Sequence, residues 1–373
     1  MNDNDLRPSQ IRVKEKFTQK LKYLFYEDSE ITEVVTGARF SKYYCNLPVD
    51  DIVKLNEYKS DFAVLTDKCS NVEFSKEKEI DKICIYAQNE EFNEKDHTYF
   101  NLVNSDEYKN SKAVLPIPAG IDFYGKTVVA DLRELAYLMC VGFVGSGISE
   151  FLEGMILSLT KKYAPNQFKV MLIEPKNFAL KTFDVFEGLP HLLGNKIFKT
   201  EQEIFDALDA VVREIERRND LLSKMGAPTI DIYNNSEAVK NGESRYLPYV
   251  VVVMNKFDNV ISINQTKVEK YIQILTGKAK ACGVNLVIAT EKPTDDVLTP
   301  IVLKHVLSRL FFKIKIVSSK YLSLLRQAEY LFANGDMYLV PYPSGELQRL
   351  QYGYISYNDC KDEVAKIIDL YKK

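Results

Sequence analysis

From residue 114 onward the chain alternates between short, almost wholly apolar runs and amphipathic stretches, and this limits its fold more than any other property. The apolar runs predict strands, and the amphipathic stretches between them predict helices. The predicted strands are 128–130, 137–141, 169–173, 249–254 and 285–289, and the predicted helices are 149–162, 201–225, 268–282 and 359–373. Strands that are apolar on both faces are typical of a parallel sheet covered by helices on each side. The pattern therefore predicts an α/β domain with a mostly parallel sheet.

The first 112 residues have a different texture. Apolar side chains recur at helical spacing over residues 11–26, which predicts a packing helix, with a basic membrane-surface helix as the alternative. Residues 31–88 contain five short β-rich runs (ITEVV, RFSKYYCNL, FAVLT, NVEF and KICIYA) and one helical stretch at 50–58. Residues 89–112 are rich in Glu, Asp, Asn and Lys and predict an exposed connection. The predicted parts are an N-terminal helix (1–30), a small α+β module (31–112) and a large α/β domain (113–373).

Overall composition excludes few classes of function. Forty-nine basic and 52 acidic residues give a net charge of −3, so any nucleic-acid contact requires a local positive surface. The six cysteines lack the close spacing of a zinc cluster, and three histidines do not favour a histidine-centred active site. No run reaches the ~18–20 apolar residues that span a bilayer, and the first residues have no signal-peptide core. We therefore expect a cytoplasmic protein without a direct membrane span.

Residues 142–149 read GFVGSGIS, between an apolar run and a predicted helix. This is the context of the phosphate-binding loop G-x-x-x-x-G-K-[ST], in which glycines and a helix N-terminus aim N–H groups at phosphate. Ser149 stands where a hydroxyl holds Mg²⁺, whereas Ile148 stands where a lysine contacts the β- and γ-phosphates of ATP. The candidate nucleotide-binding residues are Gly142, Phe143, Val144, Gly145, Ser146, Gly147, Ile148 and Ser149. The alternative is a tight strand-to-helix turn that binds no ligand.

A second candidate segment is the apolar run that ends at Met254. An ATPase of this kind places two acids after such a strand, one for the magnesium shell and one to polarise water. Here the two positions are Asn255, which keeps only a neutral oxygen, and Lys256, which reverses the charge. Three charged groups are thus missing together, at 148, 255 and 256. The residues predict a site without efficient ATP hydrolysis, although Lys256 substituting for the loop lysine is an open alternative.

Taken in order, these segments resemble the FtsK/SpoIIIE family of DNA translocases over about residues 30–357. The matching segments are GIDFYGKTVVADL, VGFVGSGIS, IEPKNFALKTFDVFEGLPHLL, EIERRNDLLSKMG, LPYVVVVMNKF, GVNLVIATEKP, VSSK and NGDMYLV. The resemblance implies a RecA-like P-loop motor core, ATP and Mg²⁺ as cofactors, and a hexameric ring with double-stranded DNA in its pore. It also implies that Glu291 stands at the γ-phosphate sensor position, usually glutamine, and that Arg309 is a candidate arginine finger toward a neighbouring subunit.

The resemblance and the departures together predict an FtsK/SpoIIIE-like DNA translocase homologue that is defective in ATP hydrolysis. It would bind double-stranded DNA as a homo-oligomer, or in a mixed ring beside an active paralogue. We expect the motor core alone, without a membrane anchor or a winged-helix DNA reader. One alternative is a scaffold or adaptor subunit of a conjugation or type VII-like secretion apparatus. Another is an active DNA-dependent ATPase with rearranged catalytic groups.

Overall fold

The computed structural model describes residues 6–66, 72–77, 82–93, 97–135, 137–175, 182–314, 328–329, 331–332 and 334–372. The chain divides into two compact units. The first consists of Met1–Asp96 with Ile121–Lys126, and the second of His97–Gly120 with Thr127–Lys373. The N-terminal helix is therefore part of the first unit, and residues 97–112 belong to the second.

In its described residues, the first unit has a four-stranded antiparallel sheet, ordered β1-β2-β4-β3, and three α-helices. Its elements are α1 (Pro8–Leu24), β1 (Ile31–Thr36), β2 (Phe40–Cys45), α2 (Ile52–Glu57), α3 (Lys59–Leu65), β3 (Val72–Glu77) and β4 (Lys82–Gln88). Helix α1 buries Val13, Phe17 and Leu21, which confirms the predicted packing helix. Its apolar face is used inside the unit, which removes the argument for a membrane-surface helix.

The run FAVLT was predicted as a strand, and this prediction is wrong because the run lies in α3. Leu55, Tyr58, Phe62 and Leu65 recur at helical spacing, a period that five residues are too short to reveal. The ring of Phe62 packs against those of Phe17 and Phe74, with ring centroids 5.2 and 5.4 Å apart. Helical conformation directs Phe62 into the core.

The second unit is built on a nine-stranded sheet ordered β6-β5-β13-β12-β11-β7-β10-β9-β8. Its strands are β5 (Pro116–Ile121), β6 (Thr127–Asp131), β7 (Leu138–Val141), β8 (Phe168–Ile173), β9 (Tyr249–Met254), β10 (Val284–Thr290), β11 (Ser308–Phe312), β12 (Asp336–Val340) and β13 (Gln348–Gln351). Neighbouring strands from β11 through β7, β10 and β9 to β8 pair in parallel, whereas β12 and β13 add antiparallel pairs. The predicted parallel arrangement thus describes the five neighbouring strands from β11 to the edge strand β8 of a mixed sheet.

The described α-helices of this unit precede β5, lie between strands or follow β13. They are α4 (Tyr99–Asn104), α5 (Asp106–Lys109), α6 (Ile148–Lys162), α7 (Glu201–Lys224), α8 (Ile230–Asn234), α9 (Glu237–Lys240), α10 (Phe257–Ile263), α11 (Gln265–Gly277), α12 (Pro300–His305) and α13 (Tyr357–Leu370). Helices α6, α7, α11 and α13 confirm the four predicted helices, with α11 shifted toward the N-terminus. Among helices in the described part of the chain, none is long and apolar enough to cross a membrane.

The segment 89–112 is not the exposed connection that its composition predicted. It contains α4 and α5, and Tyr99 and Leu102 on α4 are buried. The side chains of Thr98 and Ser105 cap the two helices by accepting hydrogen bonds from backbone N–H groups. Two short capped helices thus lie in a segment whose content of Glu, Asp, Asn and Lys predicted a loop.

Candidate functional site

The candidate loop joins the carboxyl end of β7 to α6, at the sheet edge where the parallel strands end. The Phe143 N–H donates to the Lys313 carbonyl, 3.0 Å away, and the Gly335 N–H donates to the Ser146 carbonyl, 2.8 Å away. These bonds tie the loop to the residues that follow β11 and precede β12. Ligands of α/β sheets bind at this kind of edge.

Two of the three loop glycines are required by packing. Gly147 has φ +110°, and a Cβ there would lie 2.7 Å from Gly335 Cα. A Cβ on Gly142 would lie 2.5 Å from the Ser146 hydroxyl oxygen. Gly145 differs, because it has φ +81° but no heavy atom within 4 Å of a Cβ position. The fold itself therefore demands Gly142 and Gly147, with or without a ligand.

An apolar side chain takes the place of the missing lysine. Ile148, the first residue of α6, is only 6% exposed, and its Cδ1 lies 3.1 Å from the Cβ position of Gly142. It packs against the beginning of the loop, where it supplies no charge to a phosphate. Val144 at the loop tip is 59% exposed. The loop thus retains its backbone turn while its cationic group is absent.

The first turns of α6 add acidic groups near the loop. The Ser149 hydroxyl lies 3.2 Å from the Thr182 hydroxyl, so the two can share a hydrogen bond. Glu153 is buried one turn further on; burial, followed by the charges of Glu150 and Glu174, raises its pKa to about 8. These carboxyl groups cannot offset the negative charge of a bound triphosphate.

The end of β9 is joined to the end of β8 through side chains. The Asn255 amide donates from Nδ2 to Glu174 Oε1 at 2.8 Å, and its Oδ1 accepts from the Lys256 N–H at 2.9 Å. Glu174 also accepts from the Thr182 N–H at 3.2 Å and the Phe183 N–H at 3.1 Å. Both Glu174 and Asn255 are buried.

The next residues form a group of mixed charge. Lys256 has left-handed backbone with φ +50°. Burial raises the pKa of the half-buried Glu291, and the nearby positive charges of Lys256 and Lys292 partly oppose this. Asp258 accepts from the Thr290 hydroxyl at 3.3 Å and pairs with the Lys292 ammonium at 3.3 Å. The Lys256 charge therefore acts on Glu291.

Arg309 does not join the loop of its own chain. It is the second residue of β11 and pairs in register with Met139, whereas the loop follows the other end of β7. Arg309 donates from Nη2 to the Leu303 carbonyl at 3.4 Å, and burial lowers the pKa of its guanidinium. Its role toward a neighbouring subunit stays a prediction.

Sequence reasoning missed Glu174, Thr182 and Asp258 as members of this site. A signal for Glu174 was present, because it follows β8 as Asn255 follows β9, and neighbouring parallel strands end at one edge. No sequence signal pointed to Gly335 beside the loop. Lys176 and the segment VSSK at 317–320 lie outside the described residues.

The sheet order, the loop and the helix after it define a P-loop ATPase fold with a RecA-like core. The FtsK/SpoIIIE family model matches residues 100–309. The chain therefore belongs to the FtsK/SpoIIIE family.

Curated relatives agree with this assignment. DNA translocase SpoIIIE of Bacillus subtilis (strain 168) is 33% identical over 265 residues, covering 69% of this chain and 32% of that protein. DNA translocase FtsK of Helicobacter pylori (strain J99 / ATCC 700824) is 31% identical over 272 residues, covering 73% and 31%. The chain spans about a third of the length of these relatives.

Solved structures agree on the fold at lower identity. The pCW3 conjugation coupling protein TcpA, a monomer form with ATPγS, has a TM-score of 0.62 at 15% identity, covering 98% of this chain and 100% of that chain. The cytoplasmic domain of the type VII secretion ATPase EccC from Thermomonospora curvata has a TM-score of 0.60 at 20% identity, covering 72% and 34%.

Proposed function

We propose that this chain is a DNA-binding member of the FtsK/SpoIIIE family that does not hydrolyse ATP. It works in the cytoplasm as a homo-oligomer, or in a mixed ring beside an active paralogue. The observation that carries the proposal is the buried Ile148 side chain at the start of the loop, in the place of the phosphate-contacting lysine.

The chemistry of phosphoryl transfer explains why this change matters. The transition state needs cationic groups on the β- and γ-phosphates and a positioned water. Ile148 supplies no charge, Asn255 is bound to Glu174, and Lys256 cannot accept a proton while it is charged. The site therefore lacks the lysine that contacts the phosphates, the acid of the magnesium shell and the acid that polarises water.

In this proposal the loop no longer supports hydrolysis but still binds nucleotide through its backbone N–H groups. The first N–H groups of a helix have no partners within the helix, so the N-terminus of the 15-residue α6 can donate to a phosphate. Without the lysine and the strand-end acids, this binding is weak and independent of Mg²⁺. Calorimetric titration with ATP, in magnesium and in EDTA, should give the same affinity. A requirement for magnesium would contradict this part of the proposal, and binding in neither condition would reduce the loop to a structural turn.

DNA binding is proposed from the family, whose named relatives are DNA translocases. Contacts to the phosphate backbone release counterions, so affinity falls steeply as salt increases. Double-stranded DNA of mixed sequence should bind with a negative slope of log affinity against log salt, and with little dependence on sequence. Absence of DNA retention at low salt would overturn this half of the proposal.

A second candidate function is that of an adaptor subunit in a conjugation apparatus. The structural likeness to TcpA favours it, because that likeness extends over 98% of this chain, including the N-terminal unit. An adaptor of this type would retain a protein partner without salt-sensitive DNA binding. The same DNA-binding series therefore separates the two functions.

A further inference from the structure

The strand-end hydrogen bonds have a consequence beyond the loss of hydrolysis. Four residues with side-chain oxygens, Ser149, Thr182, Glu174 and Asn255, link the first turn of α6 to the ends of β8 and β9. The Ser149–Thr182 and Asn255–Glu174 contacts join side chains, and the Thr182 backbone N–H donates to the Glu174 carboxylate. An active site of this fold would place a magnesium ion among groups of these types. The four residues therefore need to be tested for their fit to a metal ion.

They do not fit a metal ion between Glu174 and Asn255, because Asn255 directs an N–H donor, not an oxygen, at the carboxylate. Asn255 directs its amide nitrogen to Glu174, and its amide oxygen accepts the Lys256 N–H. The carboxylate of Glu174 accepts three N–H donors, from Thr182, Phe183 and Asn255. The Ser149 hydroxyl lies within hydrogen-bond distance of Thr182. For Asn255 to offer an oxygen to a cation beside Glu174, its buried amide would have to turn over, which would break the bond to Glu174 and set the amide nitrogen against the Lys256 N–H.

We propose that the Asn255 amide replaces the magnesium ion as the partner of Glu174. The pair, together with Thr182 and Ser149, forms a metal-free clamp that holds the ends of β8 and β9 against the first turn of α6. Glu174 is a positioning residue in this clamp. The proposal deepens the proposed function, because it explains why the site can do without magnesium.

The chemistry of the pair predicts what an aspartate at position 255 would do. Its carboxylate would face Glu174 across the 2.8 Å that the amide bond now spans. Two carboxylates this close repel each other unless a cation or a proton lies between them. Asn255→Asp should therefore convert the clamp into a site that requires a divalent cation.

The test is a thermal-unfolding series on the whole chain, measured in EDTA and in millimolar MgCl₂ or CaCl₂. In EDTA we expect Asn255→Asp to lower the Tm by about 5 °C or more. Divalent cation should restore most of that loss in the variant and leave the Tm of the unmodified chain unchanged. Asn241→Asp, at an exposed residue, makes the same change of charge and should respond to neither condition.

A swap of the two groups keeps the test decisive if Asn255→Asp alone does not fold. Glu174→Gln alone should lower the Tm, because the two carboxylate oxygens accept from Thr182, Phe183 and Asn255, and in either orientation the new amide nitrogen faces at least one of these N–H donors. In the double variant Glu174→Gln with Asn255→Asp, the new carboxylate accepts from the new amide, so the Tm should recover part of the loss. Additive destabilisation in the double variant would overturn the proposal. So would stabilisation of the unmodified chain by divalent cation.

The series uses neither nucleotide nor DNA. Its failure would leave the proposed lack of hydrolysis standing, with the Glu174–Asn255 bond as ordinary packing. Turnover of ATP, in contrast, would overturn the proposed function but would not change the Tm differences expected among the Asn255 and Glu174 variants.

Discussion

The phosphate loop and the end of β9 both lie where the parallel strands of the sheet end. The loop keeps the glycines of an active ATPase, whereas the end of β9 does not keep its acids. The loop keeps Gly142, Gly145 and Gly147, whereas the strand end has an amide and a lysine in place of two acids. Packing explains the difference, because Gly142 and Gly147 admit no Cβ beside Ser146 and Gly335. The presence of those two glycines is therefore weak evidence that the loop binds a ligand.

The charged positions carry the functional information. The motif lysine at position 148 and the two acids at positions 255 and 256 are charged groups that packing does not require, so they can be replaced. Once hydrolysis is not required, Asn255 can instead stabilise Glu174, and Ile148 can fill apolar space beside the loop. A glycine pattern in this fold therefore predicts a backbone turn, and the charges around it predict the chemistry.

The strongest test of this contrast is Gly147→Ala. Its positive φ and the 2.7 Å approach to Gly335 should together cost at least about 4 kcal/mol of unfolding free energy. Gly145→Ala is the matched control, because it meets only the cost of positive φ, about 1 kcal/mol. Denaturant titration measures both. Equal losses would remove the packing explanation of the loop glycines.

Glu153→Gln tests the buried acid behind the loop. The folded protein raises the pKa of Glu153 to about 8, above its ordinary value of 4.5. The folded state therefore holds a proton that the unfolded chain loses. The resulting stability is complete below pH 4.5 and is lost as the pH rises through about 8.

An uncharged glutamine should remove this dependence. At pH 8 we expect Glu153→Gln to stabilise the protein by about 3 kcal/mol, with little gain below pH 4.5. Glu216→Gln, on an exposed face of α7, is the control and should change stability little at either pH. Urea unfolding across this pH range measures the free energy of unfolding of each protein. A difference between Glu153→Gln and the unmodified chain that does not change with pH would contradict the raised pKa of Glu153.

Ile148→Lys restores the charge on the loop side alone. Removal of a buried apolar side chain should cost about 2 kcal/mol of unfolding free energy, while the new ammonium should tighten ATP binding. ATP turnover should still be absent, because Asn255 and Lys256 are unchanged. Calorimetry and a phosphate-release assay test the two halves, and turnover in this single variant would show that the strand-end acids are dispensable.

Ser149→Ala should have the smallest effect. The hydroxyl contacts Thr182 at a half-buried position, so its removal should cost less than about 1 kcal/mol. If the site does not use magnesium, ATP affinity should change by less than about twofold. A large loss of affinity only in the presence of magnesium would show that Ser149 binds the metal.

Hydrophobic patterning predicted five of the nine described strands of the second unit, most clearly β7, β8, β9 and β10, which are rich in buried apolar residues. It missed β5, β11, β12 and β13, and β13 has three polar residues among its four. The run Tyr249–Met254 is β9 as predicted, and the loop with α6 follows β7 as the motif required. The run FAVLT was too short to reveal a helical period, and the many Glu, Asp, Asn and Lys residues of 89–112 predicted a loop where the short helices α4 and α5 form. Local sequence did not suffice where tertiary packing or capping decided the conformation.

The substitutions at 148, 255 and 256 were visible in the sequence, but their partners were not. The Glu174–Asn255 bond depends on the register between β8 and β9 and on the reach of a glutamate side chain. The contact of the loop with Gly335 joins segments far apart in the chain. Both require the three-dimensional arrangement.

The central claim is that this site does not hydrolyse ATP, and phosphate release tests it most directly. The purified chain is incubated with ATP and magnesium, with and without linear double-stranded DNA, beside a Lys256→Ala variant. We expect no phosphate release above the protein-free control in any of these reactions. DNA-stimulated release that Lys256→Ala abolishes would contradict it and establish an ATPase with rearranged catalytic groups.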